Sequence, residues 1–361
     1  MSPTMENNHE YDVSLDAMML ASAMVYPAVL NAAIELNLFK IIGEGSPKGM
    51  SPSEIASKLP NPHADTARRL DRLLCLLASH SVLTCSSKKL DDGTTERLYA
   101  LSPTGKYLVP DEDGVSYASV SLLSYHPAYI KVRENIKQVI LDEEEDLFKK
   151  VHGMSMFEYM KRDATFEALF HKAMADLSFM HMKQILEKYQ GFEGISTLVD
   201  VAGGIGQSLK MIVCKYPSIQ GINFDLPHVV QHAPSYPGVK HVGGNMFEGV
   251  PEGDAIMIKA TTHNWADDKC IQVLKNCHKS LKEGGKLIII DLIMPEAPNA
   301  TDGDKYVAIL DNVMFLQAGG KERTEKELEA LGKAAGFSSY RVAARVFSSA
   351  LGVIEFYKQT M

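Results

Sequence analysis

The stretch Leu198-Val199-Asp200-Val201-Ala202-Gly203-Gly204-Ile205-Gly206 decides the fold class. Its first four residues read as a short buried strand, and the glycines after them read as a turn that opens a helix. Glycine at such a turn lets a ligand come close to the backbone. The next β-rich run, residues 221–225, ends in Asp225, roughly 20 residues on, where an acidic side chain commonly takes ribose hydroxyls. Strand, glycine turn, helix, strand and acid together point to an adenosine-containing cofactor. The spacing is not Gly-x-Gly-x-x-Gly, which argues against a nicotinamide dinucleotide. A glycine turn kept only for packing stays open as an alternative.

Further β-rich runs lie outward on the C-terminal side, at 240–242, 255–259 and 286–292. Helical stretches fit between them, such as 270–281, ended by Gly284-Gly285. This alternation predicts a parallel sheet covered on both faces. The last two runs, 340–347 and 353–357, are too close for a parallel crossover, so they are expected to form an antiparallel hairpin at the sheet edge. Residues 191–361 thus read as an α/β, Rossmann-like domain with a terminal antiparallel hairpin.

Residues 1–190 read as a mainly helical domain. Apolar positions over 15–42 follow a helical period, with Pro27 placed to kink or split the segment. The stretch lacks a fully polar face, which implies burial against other helices or a second subunit. Ser51 caps a short helix over 52–58 with Glu54 at the capping-box position. Asp65 or Thr66 opens a second helix through Leu77, and short strands follow around 82–85 and 97–100 with a turn at Asp92-Gly93. This resembles a winged helix. Arg68, Arg69 and Arg72 on the second helix raise DNA binding, but Asp65 and Asp71 interleave them and no wider basic field surrounds them. The acidic run 142–146 reads as a solvated helix end or loop, and helical patterning resumes over 156–189.

The bulk numbers fit this reading. The chain has 361 residues, of which 45% are hydrophobic, enough for a large core. A net charge of −8 argues against nucleic acid, which demands a concentrated basic surface. Cys75, Cys85, Cys214, Cys270 and Cys277 match neither a disulfide framework nor a zinc site, so they read as reduced, buried thiols. Residues 1–11 lack the apolar core of a signal peptide, and no apolar run reaches the ~18–20 residues that span a bilayer, so a cytoplasmic protein with no membrane partner is expected. Histidines and carboxylates are too scattered for a metal site.

Five motifs carry a more specific resemblance. Residues 198–206, Asn223-Phe224-Asp225-Leu226-Pro227-His228-Val229, Gly243-Gly244-Asn245-Met246-Phe247, His263-Asn264-Trp265-Ala266-Asp267 and Gly319-Gly320-Lys321-Glu322-Arg323-Thr324 occur in the same order as in the plant caffeic-acid-type, cation-independent small-molecule O-methyltransferases. The resemblance covers nearly the whole chain. It implies S-adenosylmethionine as cofactor, S-adenosylhomocysteine as product, no metal, and a homodimer with the N-terminal helices exchanged. It places Ala202, Gly203 and Gly204 at the cofactor turn, Asp225 at the ribose, and Leu226 and Met246 beside the adenine. Asn245 stands where the family often has Asp near the adenine amino group. Lys259 and Ser178 would reach polar parts of the cofactor, and Trp265 would cover the adenine, with core packing as its alternative role.

Methyl transfer from a sulfonium brings its own electrophile, so the protein has to align the nucleophile and take its proton. A phenol, with a pKa near ~10, is mostly protonated at neutral pH, and His is the natural base. By resemblance that base is His263, which follows the strand 255–259 at its C-terminal end. Two carboxylates match the family's orienting partners: Asp291, where many relatives have Glu, and Glu322, which could instead cap the helix that Thr324 begins. Phe170, Met174, Leu177, Ser124, Asn264 and Met314 are the expected lining of the phenol pocket, though plain core packing serves Phe170, Met174 and Met314 equally well.

The chain also departs from the family. Ala202 replaces the first glycine of the loop, Asn264 the usual Asp after the catalytic His, Ala260 and Thr261 a bulky Trp-Ile pair, and Leu177 a polar His. Ser124, Tyr125 and His126 differ from the usual pocket segment, and the loop before Gly319 is one residue shorter. These changes imply an acceptor more apolar than caffeic acid, such as a coumarin, phenylpropene or flavonoid phenol. Two alternatives remain: a relative that keeps the cofactor site without transferring methyl, as a cyclising catalyst or regulatory partner, and an N-methyltransferase.

Overall fold

The computed structural model describes residues 12–141, 146–318 and 320–358. The acidic stretch 142–145, the N-terminal 1–11 and Gly319 lie outside the described residues, and so do the readings made of them. The chain divides into two compact units, Met1–Tyr125 and His126–Met361. The change in sequence pattern near 190 is therefore not the boundary between units. The helix Ala164–Lys188 belongs to the second unit because Met182, Ile185 and Leu186 are buried in the apolar layer on its sheet, at about 1.5–3 kcal/mol for each large side chain fully buried.

In the first unit, helices Val13–Ala21, Val25–Glu35 and Leu38–Gly43 replace one kinked helix. Pro27 does not make the break. It sits in the first turn of the second helix, where a missing N–H costs nothing, and the chain turns before it at residues 22–24. The second break is at Asn37, whose φ of 54° is left-handed. Ser51 and Glu54 form the expected capping box on Pro52–Ala56. The helix Thr66–Ser79 packs on a hairpin of β1 (Leu83–Lys89) and β2 (Thr95–Leu101), burying Leu70, Leu74 and Leu77 with Tyr99. Arg68 forks onto Asp65 at 3.1–3.2 Å, so this guanidinium is spent locally. The helix Val13–Ala21 buries no residue and exposes Met18, Met19 and Leu20. Among the described residues no single helix is long and apolar enough to cross a membrane; Val13–Ala21 and Val25–Glu35 reach that length only as a pair bent by 52°.

The second unit is built on one sheet. Its strands are β3 (Thr197–Val201), β4 (Gln220–Asp225), β5 (Val239–Gly243), β6 (Gly253–Lys259), β7 (Leu281–Met294), β8 (Arg323–Thr324), β9 (Ser339–Val346) and β10 (Leu351–Tyr357). The order is β5-β4-β3-β6-β7-β10-β9, with β8 added to the end of β7. β3 to β7 run parallel, while β10 is antiparallel to both β7 and β9. The hairpin stands at the edge as expected, with its second strand on the inside. Ile288 and Ile290 of β7 enter one apolar layer and Leu287 and Ile289 the other. This alternation, apolar on both sides, is what a sheet covered on both faces requires. Helices Ala164–Lys188 and Gln207–Lys215 cover the first face, Asp267–Ser280 and Glu325–Ala335 the second.

Two boundaries differ from expectation. The helical pattern over 156–189 is two helices, Met156–Met160 and Ala164–Lys188, because Asp163 caps the second by accepting from the Thr165 and Phe166 amides. The helix before β7 ends at Ser280, and Gly284 and Gly285 lie inside the strand's irregular start. The thiols also differ: all five are free, but only Cys270 and Cys277 are buried.

Candidate active site

The turn after β3 is set by its backbone. Ala202, Gly204 and Gly206 have φ of 59°, 58° and 82°. For Ala202 this left-handed geometry costs roughly 1–2 kcal/mol that glycine would not incur. Gly203 has no room for a side chain, since a Cβ would lie 2.2 Å from Asn223 Oδ1 and 2.7 Å from Asp200 Oδ2. At Gly204 a Cβ would meet nothing within 4 Å, so this part of the turn faces open space. The Gly204 amide donates to Asp225 Oδ2 at 2.8 Å, and the Leu226 amide to Asp225 Oδ1 at 2.7 Å. The structure thus joins the glycine turn to the acid that ends β4. Asn223 Nδ2 ties the turn from the other side through the Gly204 carbonyl at 2.8 Å.

Behind the turn lie two opposite charges, Asp200 and Lys259, with no hydrogen bond between them. Asp200 is fully buried, and burial, against the opposing pull of Lys259, lifts its carboxyl to about 7. Lys259, at the end of β6, is pushed below its ordinary value by burial, against the Asp200 and Asp291 charges. It donates to Ser178 Oγ, which lies 3.4 Å from Ser208 Oγ. Asp200 Oδ2 and Asn223 Oδ1 have no hydrogen-bond partner among the described residues. Met246 and Trp265 line one small apolar recess with Ile258 and Cys270. Trp265 meets Phe247 edge-on at 4.8 Å and stays 39% exposed, so it is not a core residue. Asn245 Oδ1 is taken by the Phe247 amide, leaving Nδ2 on Glu248.

His263 lies in the short turn Thr262–Asn264 after β6. Its Nδ1 is 2.8 Å from Glu322 Oε1. Burial works against the imidazolium, but the Glu322 hydrogen bond and the Asp291 and Glu322 charges outweigh it, so the pKa of His263 is raised above 6.5. Glu322 is free to do this because Thr324 finds its capping-box partner in Glu327. The two expected carboxylates are not equivalent: Asp291 accepts from the Thr262 hydroxyl and makes no hydrogen bond to His263.

Sequence reading missed the groups that hold this turn. Arg323 is 2% exposed and donates to the Thr262 and Trp265 carbonyls, both at 2.7 Å, and to Asp267 Oδ1 at 2.8 and 3.0 Å. The Lys321 amide donates to the His263 carbonyl at 3.0 Å, and the Glu322 amide to Asp311 at 2.8 Å. Arg323 stood in a quoted motif, but nothing in the linear chain marks it as buried.

Phe170, Met174 and Leu177 recur at helical spacing on Ala164–Lys188, half-buried to exposed. Asn264 is exposed in the turn that carries His263. Met314 lies on the helix Asp302–Ala318, which packs on that turn, and its carbonyl accepts from the Gly320 amide at 3.3 Å. Ser124 ends the helix Ala118–Ser124 in the first unit.

Known proteins resemble the chain along its full length. The O-methyltransferase domain matches residues 134–338, and the O-methyltransferase dimerisation domain matches residues 18–111. A caffeic acid 3-O-methyltransferase of Rosa chinensis is 48% identical over 361 residues, covering 99% of this chain and 98% of its own. An esculetin O-methyltransferase of Kitagawia praeruptora is 49% identical over 341 residues, covering 94% and 93%. Among solved structures, a methyltransferase of calicheamicin biosynthesis in its S-adenosylhomocysteine-bound form superposes with a TM-score of 0.80 at 26% identity, covering 97% of this chain and all of the other. With two domain matches and whole-length identity near one half, this chain belongs to the plant O-methyltransferase family.

Proposed function

We propose that the protein transfers the methyl group of S-adenosylmethionine to a phenolic hydroxyl of a small plant aromatic, with His263 as general base. The observation that carries the reading is the His263–Glu322 pair at 2.8 Å, one strand over from the glycine turn and two from Asp225.

The residues present fit the cofactor. Gly203 and Gly204 give a turn with open space beside it, and the Asp225 carboxylate ends β4 where ribose hydroxyls are taken. Leu226 and Met246 would flank the adenine, Asn245 would lie near its amino group, and Trp265 would cover it. Ser178 and Lys259 would hold the amino-acid end. When bound, S-adenosylmethionine supplies the methyl electrophile. The protein's own work is to orient the acceptor and remove its proton. Glu322 accepts from His263 Nδ1–H, which fixes the tautomer and leaves Nε2 as the proton acceptor. Glu322 then stabilises the imidazolium that forms. Phe170, Met174, Leu177 and Met314 offer apolar surface for a flat ring, and Leu177 favours a coumarin, phenylpropene or flavonoid over a more polar hydroxycinnamate. Asn264 is the polar group of this unit that would meet the acceptor. The unit acts as a homodimer in the cytoplasm.

The test is label transfer from radiolabelled cofactor to a panel of coumarins, phenylpropenes, flavonoids, hydroxycinnamates and aromatic amines. Transfer to one phenol class is expected, falling by about 10²-fold or more in His263→Ala. Tight cofactor binding by calorimetry with no transfer to any acceptor would replace this reading with a non-methylating one.

A further inference from the structure

Thr262 immediately precedes His263 and is 6% exposed. Its hydroxyl donates to Asp291 Oδ2, and its carbonyl accepts from Arg323 Nη1 at 2.7 Å and from the Cys270 thiol at 3.3 Å. One residue therefore joins the base turn to β7, to β8 and to the helix Asp267–Ser280. Asp291 is 3% exposed, and its other oxygen, Oδ1, has no partner among the described residues. A buried carboxylate with an orphan oxygen depends heavily on whatever donor it does have.

Building on the proposed function, we propose that Thr262 is a positioning residue for the base: its hydroxyl holds the Asp291 carboxylate in place behind the base turn, while Glu322 alone meets His263 by hydrogen bond. Two observations make the assignment. The carboxylate that should flank the histidine is turned to the neighbouring hydroxyl instead. The charges facing His263 are Glu322, Asp291 and the opposing Lys259, and those facing Asp291 are His263, Lys259 and Arg323. Removing the hydroxyl takes from Asp291 its hydrogen-bond donor. Burial then favours its protonated form, and His263 loses one of the two anions that keep its pKa high.

Thr262→Val keeps the side chain's shape and removes the hydroxyl. NMR titration of the His263 imidazole, assigned by its loss in His263→Gln, is expected to give a lower pKa in Thr262→Val and the parent value in Thr262→Ser. The same valine variant should lose kcat by about ten- to a hundredfold, as for one hydrogen bond to a charged group, with cofactor affinity by calorimetry unchanged within about twofold. Asp291→Asn should lower the His263 pKa as well, and the double variant should be no worse than the poorer single one. An unchanged His263 titration in Thr262→Val, or losses that multiply in the double variant, would overturn the assignment. The titration needs no turnover, so a parent enzyme that transfers no methyl would sink the proposed function while leaving this test decisive.

Discussion

At the scale of the residue, the proposed chemistry rests on how His263 titrates. The imidazole accepts a proton only when neutral, and its raised pKa lies above 6.5, so kcat/KM should fall as pH drops through that raised value. Glu322→Gln removes the charge and keeps an acceptor at the same place. It should lower kcat by about 10²-fold or more and move the acid limb down toward 6.5, read from a pH–rate profile of label transfer. An acid limb that stays in place would mean another group titrates. Strain sits at this scale too. Ala202 and Ala260, both departures from the family pattern, have positive φ of 59° and 49° at the ends of β3 and β6. The sequence shows the substitutions. Only the backbone shows that each forces an L side chain into a region glycine prefers.

At the scale of the element, β10 is tied to β7, β9 and the end of the helix Ala164–Lys188 through Glu355, fully buried and accepting from Tyr189 and Lys286 at 2.5 Å and from Arg341 and Tyr357 at 2.6 Å. Burial opposes its charge, but these donors prevail and hold its pKa at about 2, below the ordinary 4.5. A depressed carboxylate stabilises the fold above its unfolded pKa and loses that contribution as pH falls from 4.5 toward 2. Glu355→Gln should therefore destabilise the protein by about 3 kcal/mol at neutral pH and flatten the acid side of its stability profile, measured by denaturant titration at several pH values. The alternation of strands and helices was legible because each element keeps one period over its whole length. The break at Asp163 was not, because a side-chain cap overrode a continuous apolar pattern.

At the scale of the molecule, the exposed helix Val13–Ala21 and the turn after it are the surface on which the proposed homodimer would form. Leu20 and Met24 are 78% and 80% exposed, within the stretch that matches the dimerisation domain. Apolar side chains at such density on one short segment mark an interaction surface. Sedimentation at micromolar concentration should give a dimer, and Leu20→Asp combined with Met24→Asp should give a monomer. A monomeric parent would remove the homodimer from the proposal.

What the chain alone determined is local and periodic: the parallel sheet, its terminal hairpin and the glycine turn with Asp225, with His263 as the candidate base, because those depend on residue spacing and on motifs that survive in linear order. What the tertiary structure decided is which carboxylate meets the histidine. Asp291 and Glu322 stood as equals in the sequence, 28 and 59 residues beyond His263. Folding brings both near it, yet only Glu322 makes the hydrogen bond, while Asp291 turns to Thr262. That choice follows from where β7 and β8 end and from the way Arg323 pins the turn, which are properties of packing in three dimensions.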